Sequence, residues 1–413
     1  MSAGPHWLTA KRLTVHGLLL ALALWSVYLW TVATPGLRDR NGNLKGTDFL
    51  HLYTLGCLAR AHDGAHLYDM EYQAELAARR VPAAADIRYL PLYPPQVSLI
   101  FVPLAMLDYA HALGLWWVFN AAVYVLCCWA IWRQCPTLRR YGGLVVLLTI
   151  AFPEFFNVIA WGQTSILALA CFSGVFLLLR GKREFLAGVV LGCLIYKPQL
   201  GLAAAIVFVS VGAWKVIAGA IVGSAAELMV GAMYYGLGPM REWITRMLHV
   251  RSVLPLLEPR AYQTHCLRTF WSMILPWEPL ALEIYVVSAL VILALTVSVW
   301  RRKYVPLALR YSVILLATVL VSPHLTVYDL AILSPAILLL ADWATGHVQW
   351  GIGILLYLVY ALPLLGLLTR YTHVQLSVIA VAALVYLIWK ASERCCESVT
   401  VGARSGSGVT LKD

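Results

Sequence analysis

Four short clusters of polar side chains interrupt an otherwise apolar chain, and their residue types suit a proton transfer beside a bound phosphate. The first is K-G-T-D-F-L-H-L-Y (Lys45 to Tyr53), centred on Asp48, with H-D-G-A-H-L-Y-D (His62 to Asp69) downstream. W-G-Q-T-S (Trp161 to Ser165) supplies an amide, Gln163, that can hydrogen-bond a polar ligand. Y-K-P-Q (Tyr196 to Gln199) places Lys197 next to a helix-breaking proline, and S-P-H-L-T-V-Y-D (Ser322 to Asp329) carries His324 and Asp329. A carboxylate and an imidazole can take a proton from a hydroxyl, and a lysine serves well as a point charge for phosphate. A fifth stretch, P-R-A-Y-Q-T-H-C-L-R (Pro259 to Arg268), offers Arg260, His265 and Arg268 for acceptor or phosphate binding.

Each cluster has a plainer reading. Asp48 can be a solvated loop acid and Asp69 a helix N-cap. Trp161 can be an interfacial anchor with Gly162 as its turn, Lys197 can snorkel toward the headgroups, and His324 can be structural. The Pro259–Arg268 stretch can be a solvated amphipathic loop. Ionisable groups among apolar spans are expensive, however, and are functional candidates by default.

The elements that must position these residues are membrane helices. Of 413 residues 61% are hydrophobic and 12% charged, with a mean hydropathy of +0.76, a composition that a water-facing surface does not tolerate. Apolar runs near the length of a bilayer span recur at about 17–34, 114–132, 142–159, 164–180, 185–196, 199–213, 216–235, 281–300, 307–322, 326–341, 350–368 and 374–390. An all-α polytopic protein of about twelve transmembrane helices is expected. The first run is followed by Thr34-Pro35-Gly36 with no small-residue cleavage pattern, and reads as a retained anchor.

The formal charge of +11 lies mainly at span ends, where it serves topology; no basic patch interleaved with aromatics argues for nucleic acid. Lys11, Arg12, Arg139, Arg140, Lys182, Arg183, Arg301 and Arg302 place the N-terminus inside and all four polar clusters at outer span ends. Two long outer loops follow, about 35–113 and 236–280. The first holds an amphipathic helix near Tyr72–Arg80 and the apolar run 96–107, which is too short to span and is expected as an interfacial or re-entrant helix. Residues 1–391 read as one transmembrane domain and 392–413 as a disordered cytoplasmic tail. Nine cysteines show no zinc spacing, though Cys57 and Cys266 could pair if both face outside.

The order G-T-D-F, G-A-H-L-Y-D, L-Y-P-P (Leu92 to Pro95), W-G-Q-T, K-P-Q and S-P-H-L-T-V-Y-D resembles glycosyltransferase family 87, over about Gly46 to Asp329. That resemblance implies a GT-C membrane fold with a long first outer loop. It implies transfer of a sugar, mannose or arabinofuranose, from a polyprenyl phosphate to a lipid or glycan hydroxyl on the outer face of the cytoplasmic membrane, with inversion. Asp48 then matches the general base and His324 a second active-site residue. Lys197, Gln163, Gln199, Tyr93, Asp329, Trp161, Arg260, His265 and Arg268 are the candidates for substrate binding. A polyprenyl phosphate leaves with its own negative charge and the outer loops hold no D-x-D, so no metal or other cofactor is expected.

Two other classes compete. A lipid-linked-sugar flippase or transporter would spread polar groups across the membrane depth, and an internal repeat, common in transporters, is not evident. A sensor or assembly factor would leave the clusters unconnected.

Overall fold

Each of the twelve apolar segments folds as helix, because hydrocarbon offers the backbone no partner but itself. The computed structural model describes residues 9–404. Among these, extended pairing is limited to two isolated bridges, Arg38 with Leu44 and Thr264 with Thr326.

The helices divide by length. Seven are long and apolar enough to cross a membrane: Ala10–Val32, Tyr109–Trp132, Trp214–Tyr235, Glu278–Arg301, Val327–Gly346, Trp350–Thr372 and Leu376–Arg394. The pair Thr137–Ile150 and Pro153–Trp161, bent by 40°, makes an eighth if it is one span. The remaining four expected segments form shorter helices, Ser165–Arg180, Glu184–Tyr196, Pro198–Ser210 and Leu307–Val321. The twelve expected segments are therefore seven or eight helices of full length plus four short ones.

Burial explains part of the division. Along Leu307–Val321 every residue except Leu307, Ala308 and Arg310 is buried, so this helix meets protein on all sides and need not match the bilayer. By contrast, the first helix, α1 (Ala10–Val32), buries only Gly17 and presents Leu18, Leu19 and Leu22 outward. Apolar composition reports both situations alike.

The long segment 35–113 is folded. After α1 come α2 (Thr47–Arg60) and α3 (Met70–Arg80), the latter capped by the Asp69 side chain, which accepts from the Tyr72 amide. The helix α2 is buried continuously from Phe49 to Ala59, unlike a solvated loop. It is fastened at its start: the Tyr109 hydroxyl donates to the carbonyls of Lys45 and Gly46, both at 2.9 Å, and the Tyr89 hydroxyl donates to the Thr47 carbonyl.

Against α2 lies the run 96–107, which is not the single interfacial or re-entrant helix expected. It forms one α-turn, Val97–Ile100, and one tight turn, Leu104–Met106, interrupted at Pro103, whose nitrogen has no proton to give. The second long segment, 236–280, contributes the helices Leu237–Leu248, Val250–Leu257 and Leu267–Ile274. The last helix continues to Arg404, through residues expected as tail; residues 405–413 lie outside the described residues. Cys57 and Cys266 are both buried free thiols, so the considered disulfide is not formed.

Gly162 joins the helix Pro153–Trp161 to the next with φ of +71°, left-handed backbone that side chains disfavour. A Cβ there would stand 2.7 Å from the Cβ of Phe49, so the turn packs directly on α2. Gly162→Ala is expected to lower stability by roughly 1–3 kcal/mol, read as a lower melting temperature in detergent. Gly143, a helical position with open space around its missing Cβ, is the control: Gly143→Ala should leave melting unchanged or raise it. Equal melting of the two variants would remove the constraint assigned to Gly162.

Candidate functional site

Asp48 stands in the first turn of α2, on backbone that the left-handed residue Gly46 (φ +62°) turns inward. A Cβ at Gly46 would meet this strained backbone and lie 2.4 Å from a methyl of Leu113, which would have to shift. Gln163 reaches Asp48 from the Gly162 turn, its amide nitrogen donating to Oδ2 at 2.5 Å. The indole of Trp116 holds the same turn by donating to the Gly162 carbonyl at 2.9 Å. Asp48 thus meets a fixed donor while keeping part of its surface accessible.

Two residues beyond Gln163 the chain engages a second acid. Ser165 donates to Asp329 Oδ1 at 2.5 Å, and Lys197 Nζ donates to the same oxygen at 2.9 Å. Thr326 donates to Oδ2 at 3.3 Å. Lys197 and Asp329 are almost wholly buried, at 7% and 2% exposure, so the ion pair is shielded from solvent. Lys197 reaches this position because it links two helices: Pro198 opens the second, and Lys197 itself is non-helical, with φ −135° and ψ 72°. Its ammonium also lies 5.4 Å from the ring centre of Tyr328.

The two acids belong to one neighbourhood. Lys197 and Asp329 are both within electrostatic reach of Asp48, and Tyr93 bridges toward Thr164 with 3.3 Å between their hydroxyl oxygens. Burial raises the Asp48 carboxyl to about 6, against the Gln163 hydrogen bond and the Lys197 charge, which both pull it down. In the same helix burial pushes the His51 imidazole down to about 4, so that ring is neutral near pH 7.

A second cluster is centred on Glu258, which the sequence reading passed over. His324 Nδ1 lies 2.7 Å from Glu258 Oε1, Arg268 forms an ion pair with the same carboxylate, and the Thr269 hydroxyl donates to Oε2 at 3.1 Å. Arg268 Nε also donates to the Pro323 carbonyl at 2.5 Å. Burial alone would raise Glu258, but the His324 hydrogen bond and the Arg268 charge outweigh it and hold the carboxyl below its usual range. His324 is also close enough to Asp329 to act on it electrostatically.

The structure therefore joins Asp48, Gln163, Tyr93, Lys197 and Asp329 through direct or single-residue links, with His324 and Arg268 beside them. Other candidates stand apart. His265 is buried, its Nδ1 2.7 Å from the Ser377 hydroxyl, where it pins the segment 236–280 to the last helix. Arg260 is exposed. Gln199 is half-buried, with no side-chain hydrogen bond among the described residues. Trp161 meets Tyr328 with ring centres 6.4 Å apart.

Lys197 is also not the unpartnered cation that a waiting phosphate site suggests, because Asp329 already balances it. Ser165, Thr326 and Tyr328 were inside the quoted motifs but carried no individual signal. Among the described residues no group of three or more His, Cys, Asp or Glu could hold a metal ion.

Removing one partner of a buried ion pair costs more than removing both. Asp329→Ala should destabilise the protein by on the order of 3–5 kcal/mol, whereas the double variant Lys197→Met with Asp329→Leu should recover much of that loss. Chemical denaturation in detergent distinguishes the two, and equal losses would show that the pair is not the source of the cost.

The family model described as glycosyltransferase family 87 matches residues 92–323. No curated protein and no solved structure matches the chain.

Proposed function

Because the chain belongs to glycosyltransferase family 87, and is thus a membrane glycosyltransferase, we propose that it moves a sugar from a polyprenyl phosphate to a lipid or glycan hydroxyl, with Asp48 as general base. The donor sugar in this reading is mannose, and the reaction takes place on the outer face of the cytoplasmic membrane. The observation that carries the proposal is the environment of Asp48. It is a half-buried carboxylate held by Gln163 at 2.5 Å, raised to about 6 by burial, and set beside the buried Lys197–Asp329 pair.

A base works best when its pKa lies near the operating pH, because it is then both ionised and a good proton acceptor. In the proposed step the acceptor oxygen forms a bond to the anomeric carbon and its proton passes to Asp48. The bond from that carbon to the phosphate oxygen breaks, and the electron pair remains on the phosphate, with inversion at carbon. Lys197 and Arg268 supply the positive charge on the side where negative charge collects. Lys197 contributes as half of a dipole with Asp329 rather than as a free cation. The linkage of four motif clusters in one neighbourhood also favours a reaction site over a permeation path, which would distribute its polar groups along the membrane normal.

The decisive assay incubates the purified enzyme in membranes with radiolabelled polyprenyl-phosphate sugars and follows label into lipid products. Polyprenyl-phosphate mannose is expected to label an acceptor, and a native enzyme that transfers no sugar from any polyprenyl phosphate would overturn the donor class. Asp48→Asn keeps the shape of the side chain and loses its basicity, so transfer should fall by about 100-fold or more with melting preserved. Turnover near the native rate would remove Asp48 from the role.

Acidity gives an independent check. Asp48 titrates near 6 and must be ionised to act, so kcat should be steady above that pH and decline below it, by about ten-fold per unit well into the acid limb. A profile flat down to pH 4 would contradict the assignment.

A further inference from the structure

The sequence reading gave no role to Glu258, yet it makes the closest contact to His324. The segment Ser322-Pro323-His324 is gripped at two consecutive residues from the other side of the site. Arg268 donates to the Pro323 carbonyl at 2.5 Å, and Glu258 takes the His324 ring at Nδ1, 2.7 Å away. These two gripping residues are themselves an ion pair, and Thr269 supplies a further hydrogen bond to the other Glu258 oxygen at 3.1 Å. Arg268 in turn donates to the Thr269 hydroxyl at 3.1 Å, closing the cluster. The Glu258 side chain is 7% exposed, against 19% for His324. The carboxylate is therefore enclosed, while the imidazole keeps an accessible edge.

We propose that Glu258 is a positioning residue for the transfer reaction: its carboxylate fixes the His324 ring with the proton on Nδ1 and leaves Nε2 as the nitrogen available to substrate. An ionised carboxylate can only accept, so the nitrogen facing it must be the one that carries hydrogen. The second nitrogen points away from that partner by ring geometry, and its orientation is then set by the protein before substrate arrives. An acid behind an imidazole has the same effect wherever it recurs, holding tautomer and direction without itself touching the reacting atoms. The division of labour follows: Asp48 receives the acceptor's proton, and His324 Nε2, which keeps its lone pair, accepts a hydrogen bond from a substrate hydroxyl. This last step rests on the reading of the site as a polyprenyl-phosphate-dependent transferase; the placement of the His324 proton does not.

Histidine-selective nitrogen NMR of the full-length protein in nanodiscs tests the placement directly, with the His324 signal identified by its loss in His324→Ala. The native ring should be protonated at Nδ1, and Glu258→Ala should move the proton toward Nε2, the form favoured in water. A native ring protonated at Nε2 alone overturns the inference, whether or not any variant folds.

The transfer assay tests the role. Glu258→Gln should lower kcat by about ten-fold or more with the donor KM within about two-fold of native, and should add no further loss in a His324→Ala background. Multiplicative losses, or an effect confined to melting temperature, would overturn the positioning role. Should the native enzyme transfer no sugar from polyprenyl phosphate, the proposed donor fails while the NMR result still decides the function of Glu258.

Discussion

The contact between Lys197 and Asp329, 132 residues apart in the chain, is the constraint on which the site depends. Two charges withdrawn from water must answer each other closely or be neutralised, since an uncompensated buried charge costs several kcal/mol. Asp329 meets that demand with three donors from separate parts of the chain, Ser165, Lys197 and Thr326. Satisfying it brings the W-G-Q-T-S turn, the break at Pro198 and the S-P-H segment together. Once Ser165 is held, Gln163 two residues earlier has little freedom, and Asp48 receives its hydrogen bond. The base is therefore arranged by a polar pair that need not react.

Helix packing supplies the rest of the frame. The buried helix Leu307–Val321 leads directly into the S-P-H segment, and α2 leads away from Asp48 through eleven consecutive buried residues. Both carry site residues at one end and are surrounded by side chains along their length, so the site is anchored to packed helices on two sides. Tyrosine hydroxyls and indole nitrogens complete the positioning by binding main-chain carbonyls, as with Tyr109 on Gly46 and Trp116 on Gly162. These are durable supports in an apolar setting, because a carbonyl there has few other donors to choose from.

How much of this could be read from sequence follows from the range of each interaction. Existence of the apolar helices was legible, since hydropathy is a local property, whereas their lengths against the bilayer were not: Leu307–Val321 and Ala10–Val32 have similar composition and opposite surroundings. The polar clusters were legible as costly groups in apolar context. Their pairings were not, because nothing local links Lys197 to Asp329 or Glu258 to His324. The loop around Arg260 illustrates the failure well. Attention to its cations favoured Arg260 and His265, one exposed and the other spent on Ser377, and overlooked the single acid, Glu258, that organises Arg268 and His324.

The helix that begins at Pro198 also bears on the lipid around the protein. It has 13 residues and turns Leu202, Ile206 and Val209 outward, offering about 20 Å of apolar length to hydrocarbon about 30 Å thick. Mismatch of this kind is accommodated by thinning of the bilayer, by snorkelling of flanking residues or by association with other helices. Lys197 stands immediately before that helix. The buried charge thus stands where the apolar length offered to hydrocarbon begins.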